Sequence, residues 1–478
     1  MKLVILMIVI MLGFLQACTE EESASTLNVY YMNDLHGALK ASDTSMGMAA
    51  IGHYLQDEKA NNPDNTLILG GGDMLQGTLL SNADYGKTTT RIMDYAGFDA
   101  TVVGNHEFDW GLEKVTRYYN GTHDYEASHA FLASNIFYEG TSTIPEGIDP
   151  YAVFERAGIT IGVVGAIGYK QESSIMAAHA KDYVFEDPVP HVRTHARTLR
   201  EDYDADMVLF VSHDGMDTIR DTNARLATLQ DESRIDGIFY GHSHRTNATM
   251  LNDTPALISG ASGSHLGRMT FDLEDGQVTD VRMDNLRRHD DAGFYHEARD
   301  IADLIQERRA SMSHYYEQSL LSDASYQQGA LTQWMSELMR EASGADFGVQ
   351  NSGGTRDSFY AGERISPARL YDVFPFDNTI VTSDVSGAQA RHILESNAHH
   401  ATSKPLDDID PSGTYTVATN AYVFYSPYNS LTEGENIQKS TQTLFDLAHK
   451  KFEYLHESKD TFTVRENPSI DVLDAFSD

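Results

Sequence analysis

Six short apolar runs divide the first half of the chain: LNVYYMND (27–34), TLILGGGD (66–73), ATVVGNHE (100–107), ITIGVVGAIG (159–168), DMVLFVSHDG (206–215) and IDGIFYGHSH (235–244). Amphipathic stretches such as MGMAAIGHYLQDEK (46–59) and HVRTHARTLREDY (191–203) lie between them. Strand-length apolar runs alternating with helix-period segments make βαβ units and an α/β sheet. Five of the six runs, all but 159–168, carry Asp, Asn or His at their C-terminal ends. In open α/β sheets ligands bind outside the carboxyl ends of the strands, so these five ends are expected to converge.

Each end has its own logic. Asp34 and His36 are two apart, so in extended chain both side chains point to one side, and His242 and His244 repeat the spacing. Asp73 follows three glycines, where backbone without Cβ lets a ligand approach closely. Asn105 and His106 follow Gly104, and His213 lies in VSHDG. Singly, such residues are turn formers, helix caps or solvated imidazoles. Turn chemistry alone does not supply acid, amide and imidazole at five strand ends together. Mixed oxygen and nitrogen donors suit divalent cations, and the lack of cysteine ligands argues against a structural zinc site. A pair of such cations clamps the attacking and leaving oxygens of a displacement at phosphorus, which points to phosphoester hydrolysis.

A chain of 478 residues with 41% hydrophobic content is expected to fold as two domains. The segment HEARDIADLIQERRASMSHYYEQ (296–318) reads as a polar helix joining them, so residues 27–295 form the first domain, 296–322 a linker, and 323–478 the second. A helix is expected over ALTQWMSELMREAS (330–343), and there is no internal repeat or low-complexity tract. The acidic excess, 71 Asp+Glu against 35 Lys+Arg for a net charge of −36, repels polyanions and excludes a nucleic-acid-coating protein. Small anions must then be captured by local positive charge, metal ions included. Residues 1–18, MKLVILMIVIMLGFLQAC, have the layout of an export signal. The four residues LQAC resemble a bacterial lipobox, which makes Cys18 the lipidated first residue of the mature chain and 19–26 a tether. Cys18 is the sole cysteine, so no disulfide can form within the chain.

The order DLH, GGD, GNHEFD, SHDG, GHSH resembles the calcineurin-like metallophosphoesterases, and its combination with the second unit resembles the bacterial 5′-nucleotidase family. The resemblance implies an α/β (α+β) architecture: a four-layer sandwich of two mixed β-sheets flanked by helices, plus a smaller α/β C-terminal substrate-binding domain. It implies one cation held by Asp34, His36, Asp73 and His244, and a second by Asp73, Asn105, His213 and His242, with Asp73 bridging. The cations would be Zn, Mn, Co or Fe. His106 would face the phosphoryl group with Asp109 orienting its ring, while water activated at the metals attacks phosphorus in line.

In the second domain, QNSGGTR (350–356) resembles the family's Asn-Gly-Gly-Gly-Ile-Arg motif and implies substrate binding by Asn351 and Arg356. VFPFDNTI (373–380) resembles its Leu-Pro-Phe-Gly-Asn-Thr segment. The two segments that supply base-stacking rings in family nucleotidases are replaced by ESNAHHATSKPLDD (395–408) and YSPYNS (425–430). One ring at most is expected, from Phe424, Tyr425 or Tyr428. The resemblance thus implies an enzyme, exported and lipid-anchored to the bacterial cell envelope, that releases phosphate from nucleotides or related small organic phosphates. Alternatives are a cyclic-nucleotide or nucleotide-sugar diester, an S-linked group as in thiosulfohydrolases, or a non-catalytic cell-surface binding lipoprotein.

Overall fold

The computed structural model describes residues 24–227, 233–397, 399–426, 429–458 and 461–464. The export signal, Cys18 and Tyr428 lie outside the described residues. Among those described, no helix is long and apolar enough to cross a membrane.

The apolar runs form the expected strands. In chain order the first domain contains β1 (Ala24–Met32), β2 (Thr66–Gly70), β3 (Ala100–Val102), β4 (Ala130–Leu132), β5 (Tyr151–Arg156), β6 (Ile159–Ile167), β7 (Met207–His213), β8 (Gly237–Tyr240), β9 (Thr246–Leu251), β10 (Thr254–Ser259), β11 (Leu266–Glu274) and β12 (Gln277–Leu286). Two six-stranded sheets result, ordered β12-β11-β1-β2-β3-β4 and β9-β10-β8-β7-β6-β5. Strands β1 to β4 run parallel, as do β6, β7, β8 and β10, with antiparallel strands at the edges, so both sheets are mixed.

The period of two along each strand sets the layers. Leu27, Val29 and Tyr31 of β1 face Ile161, Val163, Leu209 and Val211 of the other sheet in one buried cluster. The alternate residues Tyr30 and Met32 face outward against helix Met48–Asn61, while Val164, Val208 and Phe210 face outward against helix Pro188–Asp202. Fully burying an aliphatic or aromatic side chain contributes about 1.5–3 kcal/mol, so strands that are apolar on both faces hold helices on both sides of the sandwich. The four-layer expectation is met. Helix Pro188–Asp202 starts where the sequence says it should: Pro188 occupies its first turn and Asp187 accepts from Val189 N at 3.1 Å.

The 296–322 stretch joins the domains from a packed position. Helix Arg299–Ser311 buries Ile301 and Leu304 in the outer layer of the first domain, and Met312 already belongs to the second domain's core. The second domain is a five-stranded sheet built from β13 (Phe347–Val349), β14 (Thr379–Ser386), β15 (His400–Thr402), β16 (Thr414–Asn420) and β17 (Glu435–Thr443), in the order β15-β13-β16-β14-β17. Helices Gln328–Ser343 and Leu444–Ser458 supply one apolar cluster, and helix Gly387–Ser396 packs in another. The domains meet through buried polar contacts. The Pro375 carbonyl accepts from Gln76 Nε2 at 3.0 Å and from Asn82 Nδ2 at 2.9 Å, and Leu79 N donates to Asp372 Oδ1 at 3.3 Å.

Candidate metal and catalytic centre

The loops that leave β1, β2, β3, β7 and β8 meet at one rim. His213 Nδ1 lies 2.8 Å from the Gly71 carbonyl, and Tyr31 Oη donates to the Tyr240 carbonyl at 2.9 Å, so the two sheets are tied together beneath the rim. Asp34 N donates to Gly72 O at 3.0 Å and His36 N to Asp73 O at 2.9 Å, which extends the β1–β2 pairing beyond the strands and fixes the two loops side by side.

One local expectation fails. Asp34 and His36 converge through a turn of left-handed residues, with φ of 50° and 51°, and not along extended chain. Asp73, His242 and His244 are left-handed as well, at 52°, 67° and 55°. Each such non-glycine residue costs roughly 1–3 kcal/mol, a strain that persists where surrounding structure enforces it and that collects at functional sites. Here it turns the side chains back over the sheet rim.

The donor atoms then close up. His36 Nε2 lies 3.0 Å from His244 Nε2, 3.9 Å from Asp34 Oδ1 and 4.0 Å from Asp73 Oδ2. His244 Nε2 is 3.5 Å from Asp34 Oδ1. On the other side, Asn105 Oδ1 lies 3.1 Å from His213 Nε2 and 3.0 Å from His242 Nδ1, and Asp73 Oδ2 is 3.1 Å from His213 Nε2. All seven residues singled out from the sequence are therefore together, and Asp73 has donors on both sides. Asp34, His36, Asp73, Asn105 and His213 are buried.

The donor set fits divalent cations. His36 and His213 give their Nδ1 atoms to the carbonyls of Gln76 and Gly71, so both turn Nε2 toward the cluster. Burial, reinforced for His36 and His244 by the Arg356 charge and for His242 by that of His213, lowers the pKa of all three; those of His242 and His244 fall to about 4. Those rings are neutral and offer lone pairs. Burial also lifts the Asp34 carboxyl to about 7, with Asp73 adding to the shift and His213 opposing it. His213 is the exception. Burial opposes its protonation, but Asp73 overcomes that and raises it to about 10, so a cation entering there displaces a proton.

His106 and Asp109 stand beside this cluster. His106 Nδ1 is 2.8 Å from Asp109 Oδ2, which leaves Nε2 directed at the centre, 3.9 Å from Asp73 Oδ2. Burial opposes protonation of His106, yet Asp109 and Asp73 outweigh it and raise the pKa. The second domain contributes Arg356, whose Nη2 donates to His36 Nε2 at 3.1 Å. One lone pair cannot serve both a guanidinium N–H and a cation, so Arg356 must yield that atom when the centre is filled. Asn351 lines the same cleft, with its Oδ1 accepting from Asn420 Nδ2 at 2.9 Å.

Two residues escaped sequence reasoning. Glu107 is buried and accepts from Asp73 N at 2.9 Å, Gly104 N at 2.7 Å and Met74 N at 2.9 Å, stapling the β2 and β3 loops together. The letter E within GNHEFD was the available signal. Gly104 is required by the same staple, since a Cβ there would collide with Asp73 Oδ1 and stand 2.8 Å from Glu107 Oε2. Glu107→Ala strands the buried N–H groups of Asp73, Met74 and Gly104, and the more distant one of Leu75, at about 1–3 kcal/mol each, so a fall in melting temperature of well over 5 °C is expected, with Glu107→Gln intermediate. Thermal unfolding of the two variants checks this. The second residue is Phe376, whose ring stacks on His106 at 5.5 Å between centroids and lies 5.8 Å from the Arg356 guanidinium.

Phe424 does not face the cleft, contrary to expectation. The short helix Ala421–Phe424, capped by Asn420 accepting from Val423 N at 2.9 Å, turns Phe424 into the domain core, where it is 2% exposed. Tyr425, also expected there, does line the cleft, together with Tyr422 and with Tyr85 and Trp110 of the first domain, around a cavity of about 620 Å³.

Residues 27–246 match the calcineurin-like phosphoesterase family, and residues 311–407 match the 5′-nucleotidase C-terminal domain. A probable 5′-nucleotidase of Treponema pallidum is 26% identical over 77% of this chain and 74% of its own. A 5′-nucleotidase of Vibrio parahaemolyticus is 25% identical over 81% of this chain and 76% of its own. The crystal structure of a 5′-nucleotidase precursor from Thermus thermophilus superimposes with a TM-score of 0.77 at 18% identity, covering 90% of this chain and 97% of that one, which shows a shared fold.

Proposed function

Because the chain belongs to the calcineurin-like phosphoesterases that carry a 5′-nucleotidase C-terminal domain, a family of metal-dependent phosphoric ester hydrolases, we propose that it releases phosphate from nucleotides or related organic phosphates at a two-cation centre. The observation that carries this reading is the meeting of seven donor residues, the His106–Asp109 pair and Arg356 at one interdomain cleft. Asp34, His36, Asp73 and His244 would hold one cation and Asp73, Asn105, His213 and His242 the other. When bound, such cations polarise phosphoryl oxygens and activate water.

The chain's own groups do the rest. Arg356 offers a planar fork of donors to the non-bridging phosphoryl oxygens once it leaves His36. His106 holds its proton at Nε2, because Asp109 fixes the other ring nitrogen, and donates it to the oxygen on which charge develops. Phe376 packs against both groups, excludes water from that side and limits their rotation.

Phosphate release from AMP, assayed with Mn, Zn, Co and Mg in turn, tests the reading. Chelation is expected to abolish turnover and re-addition to restore it, with two metal ions per chain by elemental analysis. Chelator-insensitive hydrolysis would remove the metal mechanism, and one ion per chain would remove the paired centre. The panel extends to UDP-glucose, 2′,3′-cyclic AMP and an S-linked substrate. Export and a lipid anchor on Cys18 complete the reading. Cys18→Ser is expected to move the protein from the membrane fraction to the soluble fraction, and retention in the membrane would refute the anchor.

A further inference from the structure

We infer that the outer part of the cleft is a subsite for a second anionic group, so that the preferred substrate is a phosphomonoester whose leaving group is itself negatively charged. The inference rests on the phosphoesterase reading above and adds a substrate class to it. Each domain presents to the same cavity a tyrosine with a lysine ammonium over its ring. Lys114 Nζ lies 5.5 Å from the centroid of Tyr85 in the first domain, and Lys439 Nζ 5.0 Å from that of Tyr425 in the second. Trp110 backs Tyr85 edge-on at 5.9 Å.

Neither ammonium has a carboxylate within ion-pair distance among the described residues, although the chain carries 71 acidic residues against 35 basic ones. Lys59 and Lys87, by contrast, pair with Asp99 at 2.9 Å and Asp124 at 3.2 Å. Two carboxylates line the cavity: Asp109 is bonded to His106, and Asp377 lies near Asp109, on the Phe376 side of the cleft, so the lysine charges must outweigh it. His179 also lines the cavity, and its buried Nδ1 has no hydrogen-bond partner. The lysine over each tyrosine ring adds a positive charge to the aromatic lining of the cavity. The overall field of the protein repels anions, so two unpaired ammonium groups facing one cavity concentrate there the attraction that a dianionic leaving group needs.

The test compares AMP with adenosine 3′,5′-bisphosphate, following loss of the 5′-phosphate by product analysis. Wild type is expected to show a higher kcat/KM for the bisphosphate, with the preference shrinking as salt rises. A partly exposed charge pair is worth a few-fold, so Lys114→Gln with Lys439→Gln should lower the bisphosphate-to-AMP ratio by roughly tenfold. A wild-type ratio at or below one would overturn the subsite, as would a ratio unmoved in the double variant. Because both lysines are at least partly exposed, the double variant is expected to fold, and the salt titration of wild type tests the same claim without any substitution. If neither compound loses phosphate in any metal, the phosphoesterase reading itself fails.

Discussion

Replacing His106 with alanine is expected to lower kcat by roughly two or more orders of magnitude while metal content and melting temperature stay close to wild type. This imidazole is held differently from His213. His213 Nε2 is 3.1 Å from Asp73 Oδ2 and 3.1 Å from Asn105 Oδ1, whereas His106 Nε2 is 3.9 Å from Asp73 Oδ2 and has Asp109 behind its other nitrogen at 2.8 Å. His106 Nε2 stands as near to Asp73 Oδ2 as His36 Nε2 does, so its assignment to the substrate rests on its Asp109 partner, and metal content in the variant is the discriminating measurement. Asp109→Asn keeps the shape but removes the charge that favours the protonated ring, so a smaller loss in the same direction is expected. Elemental analysis beside single-turnover kinetics decides the matter: loss of a metal ion in His106→Ala would make it a ligand, and unchanged turnover would take it out of the mechanism.

Asp73→Asn is expected to be at least as damaging, by a different route. Asp73 stands in two of the three groups of close donors, with Oδ2 directed at His213 and His36, and its Oδ1 accepts from His106 N at 2.8 Å. An amide keeps that last hydrogen bond and the side-chain volume, so the fold should survive. What disappears is the one negative charge shared by both halves of the centre. Metal content should fall to one ion per chain or fewer, and turnover by about three orders of magnitude, in line with the several kcal/mol that metal ions contribute to such transition states. Retention of both ions with near-normal activity would exclude a bridging role for this carboxylate.

How far the sequence could be read follows from the range of the forces involved. Strand ends were legible because a period of two and the carboxyl-edge rule depend on local pattern, and all seven donors named from five strand ends are found within one cluster. The conformation of Asp34 and His36 was not legible. Residue spacing implies an extended chain, whereas contacts with Gly72 and Asp73 on the neighbouring loop impose left-handed turns. Phe424 was misplaced for a related reason: the orientation of an aromatic run depends on a four-residue helix and its Asn420 cap, a feature too short to leave a periodic signal. The rings that Tyr85 and Trp110 bring to the cleft, and the grip of Gln76 on Pro375, join residues hundreds of positions apart. No local pattern announces such partners.

The grip on Pro375 has one more implication. Two side-chain amides of the first domain hold a single carbonyl of the second, and the very next residue is the ring that covers His106. Any swing of the domains wide enough to let a product escape would have to unfasten this latch, and it would carry Phe376 away with it. Latch and cover would be lost together, so a chain opened in this way would lack the ring that shields His106.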